Sequence, residues 1–250
     1  MIAFLNINLG GSGMFVLIPI VVVLGVIGVI VAYKREKARR EAMLKLASEL
    51  GLSFNPDSDR DHDDRFRQFS IFSRGRSRKA YNTLSGTCQL LGREVELIMG
   101  DYQYTVDSGS GKNRRSTTHR VSYLLIGVPM DRVPSLVIRP EKFFDKLAAM
   151  VGFDDIDFES VEFSRKFLVS SDNKRFAYDL IDPRMMEFLM KDQAMALDME
   201  AGHLCVLDGR RRWDVATFSR RLQWVLAFFD QWPEHVVKSL EQAEYDQQDD

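Results

Sequence analysis

Twenty consecutive residues, Met14 to Tyr33, carry no charge, and this run constrains the fold more than any other feature of the chain. As a helix rising about 1.5 Å per residue it extends about 30 Å, the hydrocarbon thickness of a bilayer. Eleven Val or Ile residues lie between Val16 and Val31 with no polar face among them, which does not fit a helix half turned to water. The run predicts a single transmembrane helix over 14–33 behind a short external N-terminus, 1–13. A cleaved leader would place positive charge ahead of its apolar core, but residues 1–33 have no ionisable side chain. Lys34, Arg35, Lys37, Arg39 and Arg40 follow directly against the single Glu36, and such a cluster resists translocation. The expected orientation is therefore N-terminus outside, with these five basic residues at the inner surface beside anionic headgroups. Gly28 and Ala32, four apart, give a small-residue step that lets two such helices approach as a homo-oligomer.

The rest of the chain is long enough for one fair-sized domain, and seventeen phenylalanines supply its core. The formal charge is -2; with +4 in residues 34–40 and none before them, the remainder carries -6, which argues against a general polyanion binder. Basic clusters at Arg74, Arg76, Arg78 and Lys79, at Lys112, Arg114 and Arg115, and at Arg210 to Arg212 have no interleaved aromatics, so no nucleic-acid partner is expected. Cys88 and Cys205 are too few and too separated for a metal site, and a cytoplasmic domain would keep them reduced.

Helical spacing continues through Met43, Leu46, Ala47 and Leu50, which predicts a basic juxtamembrane helix over 34–55. Residues 56–65 read as an acidic linker. Within "DSDRDHDD" the aspartates alternate as in a calcium loop, but His62 stands where Gly is needed and Gln68 where the bidentate Glu belongs. From Phe66 the period becomes strand-like, and 66–232 is expected to be one cytoplasmic α+β domain: a largely antiparallel sheet packed by three or four helices. Its strands include a hairpin about Leu91-Gly92-Arg93 and another about Ala201-Gly202. Its helices begin near Pro140, Asp172, Asp182 and Asp214, with Phe144, Leu147, Leu180, Leu222 and Phe229 on their buried faces. Residues 233–250 read as an acidic disordered tail.

Four stretches carry a resemblance: "NTLSG" (Asn82 to Gly86), "DYQY" (Asp101 to Tyr104), "IRPEKFFDKL" (Ile138 to Leu147) and "DIDFESVEFSRKFLV" (Asp155 to Val169). Over residues 66–230 the chain resembles a family of bacterial proteins, often membrane-anchored, that carry a domain of unknown function. The resemblance implies a domain boundary; the predicted helix and its basic cluster place the chain at the bacterial inner membrane. It implies no activity, cofactor or catalytic residue.

The residues themselves offer little chemistry. "SGSGKN" lacks the first Gly and the final Ser or Thr of a phosphate loop and lies between strands. No Gly-x-Ser-x-Gly, Cys-x-x-Cys or His-Glu-x-x-His occurs, so no catalytic residue, metal site or cofactor is assigned. Two candidate binding features stand out. Asp155, Asp157 and Glu159 crowd carboxylates into a segment, 154–162, that suits a cation or a small ligand. Trp224, Phe228 and Trp232 form an extra aromatic stripe on the last long helix, beside the apolar face. The reading is a membrane-anchored interaction or scaffold module with an unidentified protein partner; the alternative is a ligand pocket, conceivably enzymatic, built on the acidic segment.

Overall fold

The computed structural model describes residues 11–130, 132–140, 155–191, 195–209 and 211–245, with the backbone alone for 11–18, 112 and 244–245. The expected helix carrying Phe144 and Leu147 lies outside these residues, as do Met1 to Gly10 of the expected external terminus.

One helix, α1 (Gly11–Leu50), takes in both the apolar run and the basic cluster without a break. It ends at Gly51, whose φ of 70° is the left-handed turn that glycine tolerates best. The transmembrane assignment is corrected: among the described residues no helix is long and apolar enough to cross a membrane. The single-pass, N-out topology and the inner-membrane location rested on that crossing and fall with it.

After α1 the chain builds an eight-stranded antiparallel sheet in the order β1-β2-β3-β4-β8-β7-β5-β6. The strands are β1 (Ser53–Asn55), β2 (Arg76–Leu90), β3 (Arg93–Ser108), β4 (Arg115–Gly127), β5 (Leu136–Pro140), β6 (Phe167–Ser171), β7 (Ala196–Glu200) and β8 (His203–Leu207). Period-2 alternation divides their side chains between two faces. Leu84, Leu97, Met99, Leu124, Ile126 and Val206 join the larger core, under the end of α1 and under α4 (Lys174–Leu180), α5 (Pro183–Lys191), α6 (Val215–Asp230) and α7 (Glu234–Tyr245). Ala80, Ile98, Tyr102, Val121, Tyr123, Leu125 and Cys205 face the other way, onto Phe66, Phe69, Ile71 and Phe72.

The helix starts follow local capping. Asn173 accepts a bond from the Phe176 amide at 3.1 Å, Asp182 from Met185 at 2.8 Å and Asp214 from Thr217 at 2.7 Å, each satisfying an amide that the first helical turn leaves open. The Leu91-Gly92 and Ala201-Gly202 hairpins are present, with φ above 45° at all four residues, as primed turns require.

Three segments differ from expectation. Residues 53–55, expected as helix, form β1, because Gly51 turns the chain back antiparallel to Thr83–Ser85. The expected acidic linker is folded against the sheet: Asp59 and Ala80 exchange backbone bonds of 2.8 Å, Asp63 pairs with Arg78, and α2 (His62–Arg65) places His62 inside. Asp59, Asp63 and Asp64 pair with Arg65, Arg78 and Arg67, which composition alone does not reveal. Residues 234–245 of the expected tail form the helix α7, whose Val236 packs on the core beside partly buried Val237 and Leu240, and 246–250 lie outside the described residues.

Candidate interaction surfaces

Helix α1 has two halves of different character. In the second, Arg39, Met43, Leu46, Ala47 and Leu50 follow i, i+4, i+7, i+8, i+11 and form one stripe against the sheet. Met43, Leu46 and Ala47 are buried. At the head of that stripe the Arg39 guanidinium grips Asp101 of β3 with two parallel bonds, Nε to Oδ2 at 2.8 Å and Nη2 to Oδ1 at 2.6 Å. Its Nη1 donates to the Trp213 carbonyl at 2.7 Å. Asp101 is 0 % exposed and also accepts from Ser122 Oγ and Asn82 Nδ2, so both carboxylate oxygens are satisfied. The Trp213 amide donates to the same Ser122 hydroxyl, tying in the segment before α6.

The backbone is shaped to admit this cluster. Asn82 sits at φ 51° in a bulge of β2, where the register slips between Tyr81 and Leu84. Gly100 lies opposite on β3, where an added Cβ would come within 3.2 Å of the Thr83 Cα. One turn earlier on α1, Glu36 receives Arg212 at 2.7 and 3.0 Å. Burial pushes the Glu36 pKa upward, but the bond and charge of Arg212 outweigh it and the net shift is down.

The basic cluster is therefore divided. Lys34, Arg35, Lys37 and Arg40 are exposed, whereas Arg39 is taken up by the fold. Above them the first half of α1 projects bare: from Ile20 to Val31 the large apolar side chains are 40 to 70 % exposed, on every side of the helix. An added Cβ at Gly25 or Gly28 would meet nothing within 4 Å. No other element of the described chain covers this stretch.

The acidic segment does not converge. Asp155 turns back to accept from the Val169 amide at 3.2 Å, which fixes the loop beside β6. Asp157 and Glu159 point elsewhere, onto the rim of an open pocket of about 740 Å³ shared with Tyr178, Asp182, Met186 and Met190. Among the described residues no group of three His, Cys, Asp or Glu is placed to hold a metal. The aromatic stripe is core: Trp224, Phe228 and Trp232 are 8, 1 and 6 % exposed, with Trp224 stacked on Phe228 and Trp232 against Phe229. Spacing put them beside the apolar face, and a helix lying deep between sheet and neighbours buries both faces. The buried pair that matters most, Arg39 with Asp101, was missed by sequence reasoning. Its signal was the place of Arg39 on the Met43-Leu46-Ala47 stripe.

The domain is thus an antiparallel sheet with helices on one face and a docked N-terminal helix that extends beyond it. No family model and no curated protein matches the chain. Among solved structures the fold is similar to the crystal structure of the mycobacterial trehalose monomycolate transport factor A, TtfA, with a TM-score of 0.53 and 13 % identity over 78 % of this chain and 96 % of that one.

Proposed function

We propose that this protein is an interaction module of lipid transport that contacts lipid through the bare half of α1 and presents its sheet-and-helix domain to a protein partner. The observation carrying the reading is the exposed apolar stretch from Ile20 to Val31, continuous with the half of α1 that the Arg39–Asp101 pair docks on the domain. An apolar surface on all sides of a helix is costly in water, at roughly 25 cal/mol for each Å² left wet. Acyl chains remove that cost. Lys34, Arg35, Lys37 and Arg40 form a collar at the end of the stretch, where each contributes about 1 kcal/mol beside an anionic lipid surface. The fold it shares with a mycobacterial transport factor for trehalose monomycolate supports a role of the same kind. What α1 supplies is contact with lipid, since no described helix is long and apolar enough for a crossing.

The test is flotation of the full chain with vesicles of phosphatidylglycerol or of phosphatidylcholine. Binding is expected to both, stronger to phosphatidylglycerol, with the difference shrinking at high salt as the collar is screened. A full chain that stays in the aqueous fraction with both vesicles defeats the proposal.

A further inference from the structure

We infer that the open pocket between the loop Asp157–Ser160 and helices α4 and α5 is a docking site for a basic amphipathic segment of a protein partner. The inference extends the interaction-module reading and does not depend on the lipid contact of α1. The pocket has a volume of about 740 Å³, and its lining contains three carboxylates, Asp157, Glu159 and Asp182, with no Lys, Arg or His among the described residues. Two methionines one helical turn apart on α5, Met186 and Met190, contribute apolar surface, and Tyr178 stands half exposed at the edge.

The rim is held in place before any partner arrives. Tyr178 Oη donates to the Asp157 carbonyl at 3.1 Å, and its ring meets Phe158 edge-on at 5.3 Å. The Phe158 amide donates to Ser164 Oγ at 3.0 Å, the Ile156 amide to the Val169 carbonyl at 2.8 Å, and Ser160 caps α3 (Val161–Lys166) through the Phe163 amide. A loop fixed in this way loses little entropy on binding. Asp182 already caps α5 through the Met185 amide, whereas Asp157 and Glu159 have no ionic partner in the described structure. Two exposed, unpaired carboxylates on a rigid loop above a methionine floor complement a Lys- or Arg-bearing segment whose apolar side chains enter the pocket. Methionine suits that task because its unbranched, polarisable side chain repacks around different shapes. A metal ion would need the carboxylates to converge, which they do not.

The test uses the full chain with ¹³C-methyl methionine, its Met186 and Met190 signals assigned through Met186→Leu and Met190→Leu. The probe is a helical peptide of Lys and Leu in amphipathic order; its counterpart has Glu at every Lys. The Lys peptide is expected to shift both methyl signals saturably, and the Glu peptide to leave them in place. Asp157→Asn with Glu159→Gln should weaken the Lys peptide at least tenfold, and Glu234→Gln, at an exposed site elsewhere, should not. Unmoved methyl signals, equal shifts from both peptides, or unchanged affinity in the double variant would each overturn the inference. So would equal shifts from tetramethylammonium at the same concentration, which would assign the pocket to a small cation.

Discussion

The two halves of α1 are one continuous helix, yet only one is covered by the protein. From Glu36 to Leu50 the buried residues keep to one stripe headed by Arg39, the sheet closes over that stripe, and Leu44 off it is left exposed. From Ile20 to Val31 apolar side chains occupy every direction, and no single neighbouring surface could bury them. Hydrophobicity alone does not mark what a domain will bury. Periodicity does, and its absence marks a surface whose partner must surround it. Arginine divides in the same way along the helix: Arg39 reaches Asp101 and belongs to the fold, whereas Arg35, one turn earlier, and Arg40 are exposed.

Removing one member of the Arg39–Asp101 pair should have the largest effect on stability. Asp101→Ala would leave the Arg39 guanidinium buried without its carboxylate, at a cost of about 3–5 kcal/mol in urea unfolding. Val23→Ala, in the bare half, should change stability by less than about 0.5 kcal/mol. Equal losses at the two positions would mean that both halves are docked. On the partner side, neutralising Lys34, Arg35, Lys37 and Arg40 together removes about 4 kcal/mol of attraction to an anionic surface, roughly a thousandfold in vesicle partition. The thermal midpoint of the domain should hardly move, because none of the four touches the core.

Acid sharpens the contrast by acting on the opposite face of the sheet. His62 is 1 % exposed among Phe66, Phe72, Tyr102 and Tyr123, and burial, with the nearby charge of Arg65, lowers its pKa to about 4 from an ordinary value near 6.5. The unfolded chain therefore binds a proton that the folded chain refuses. Its stabilising contribution is complete above pH 6.5 and disappears as pH falls through 4, a loss of about 3 kcal/mol at 1.36 kcal/mol per pH unit. Denaturant midpoints of the wild type should fall across that window, and those of His62→Phe should fall less. A slope that survives the substitution would place the titrating group elsewhere. The smallest effect belongs to Glu36→Gln, which weakens a part-exposed pair with Arg212 and should cost no more than about 1 kcal/mol by thermal melting.

Much of this architecture is written in local pattern. The β2–β3 hairpin is legible at Leu91-Gly92, the start of α6 in the cap of Asp214, and the buried face of that helix in Leu222 and Phe229, which are 7 and 0 % exposed. Other features depend on contacts between residues far apart in sequence. Asp59 and Asp63 read as solvated acids until Ala80 and Arg78 are brought to them across the β2 edge. Arg39 and Asp101 stand 62 residues apart, and neither alone distinguishes a core ion pair from a surface charge. The acidic segment is a cluster in sequence, but the fold separates its members: Asp155 secures the loop while Asp157 and Glu159 reach the pocket. The apolar run, Met14 to Tyr33, reads as a membrane span by its length and lack of charge, yet no described helix is long and apolar enough to cross one.

The contrast between the halves is tested most directly by one fluorescence experiment. In a Cys88→Ser background, with Cys205 buried, an environment-sensitive dye is attached at Ile27→Cys in the bare half or at Leu44→Cys, an exposed position in the docked half. With phosphatidylglycerol vesicles the dye at residue 27 should shift to the blue and become protected from an aqueous quencher, and the dye at residue 44 should do neither. Equal responses at the two positions, or none at residue 27, would contradict the division of α1 into a half that the domain covers and a half that lipid covers.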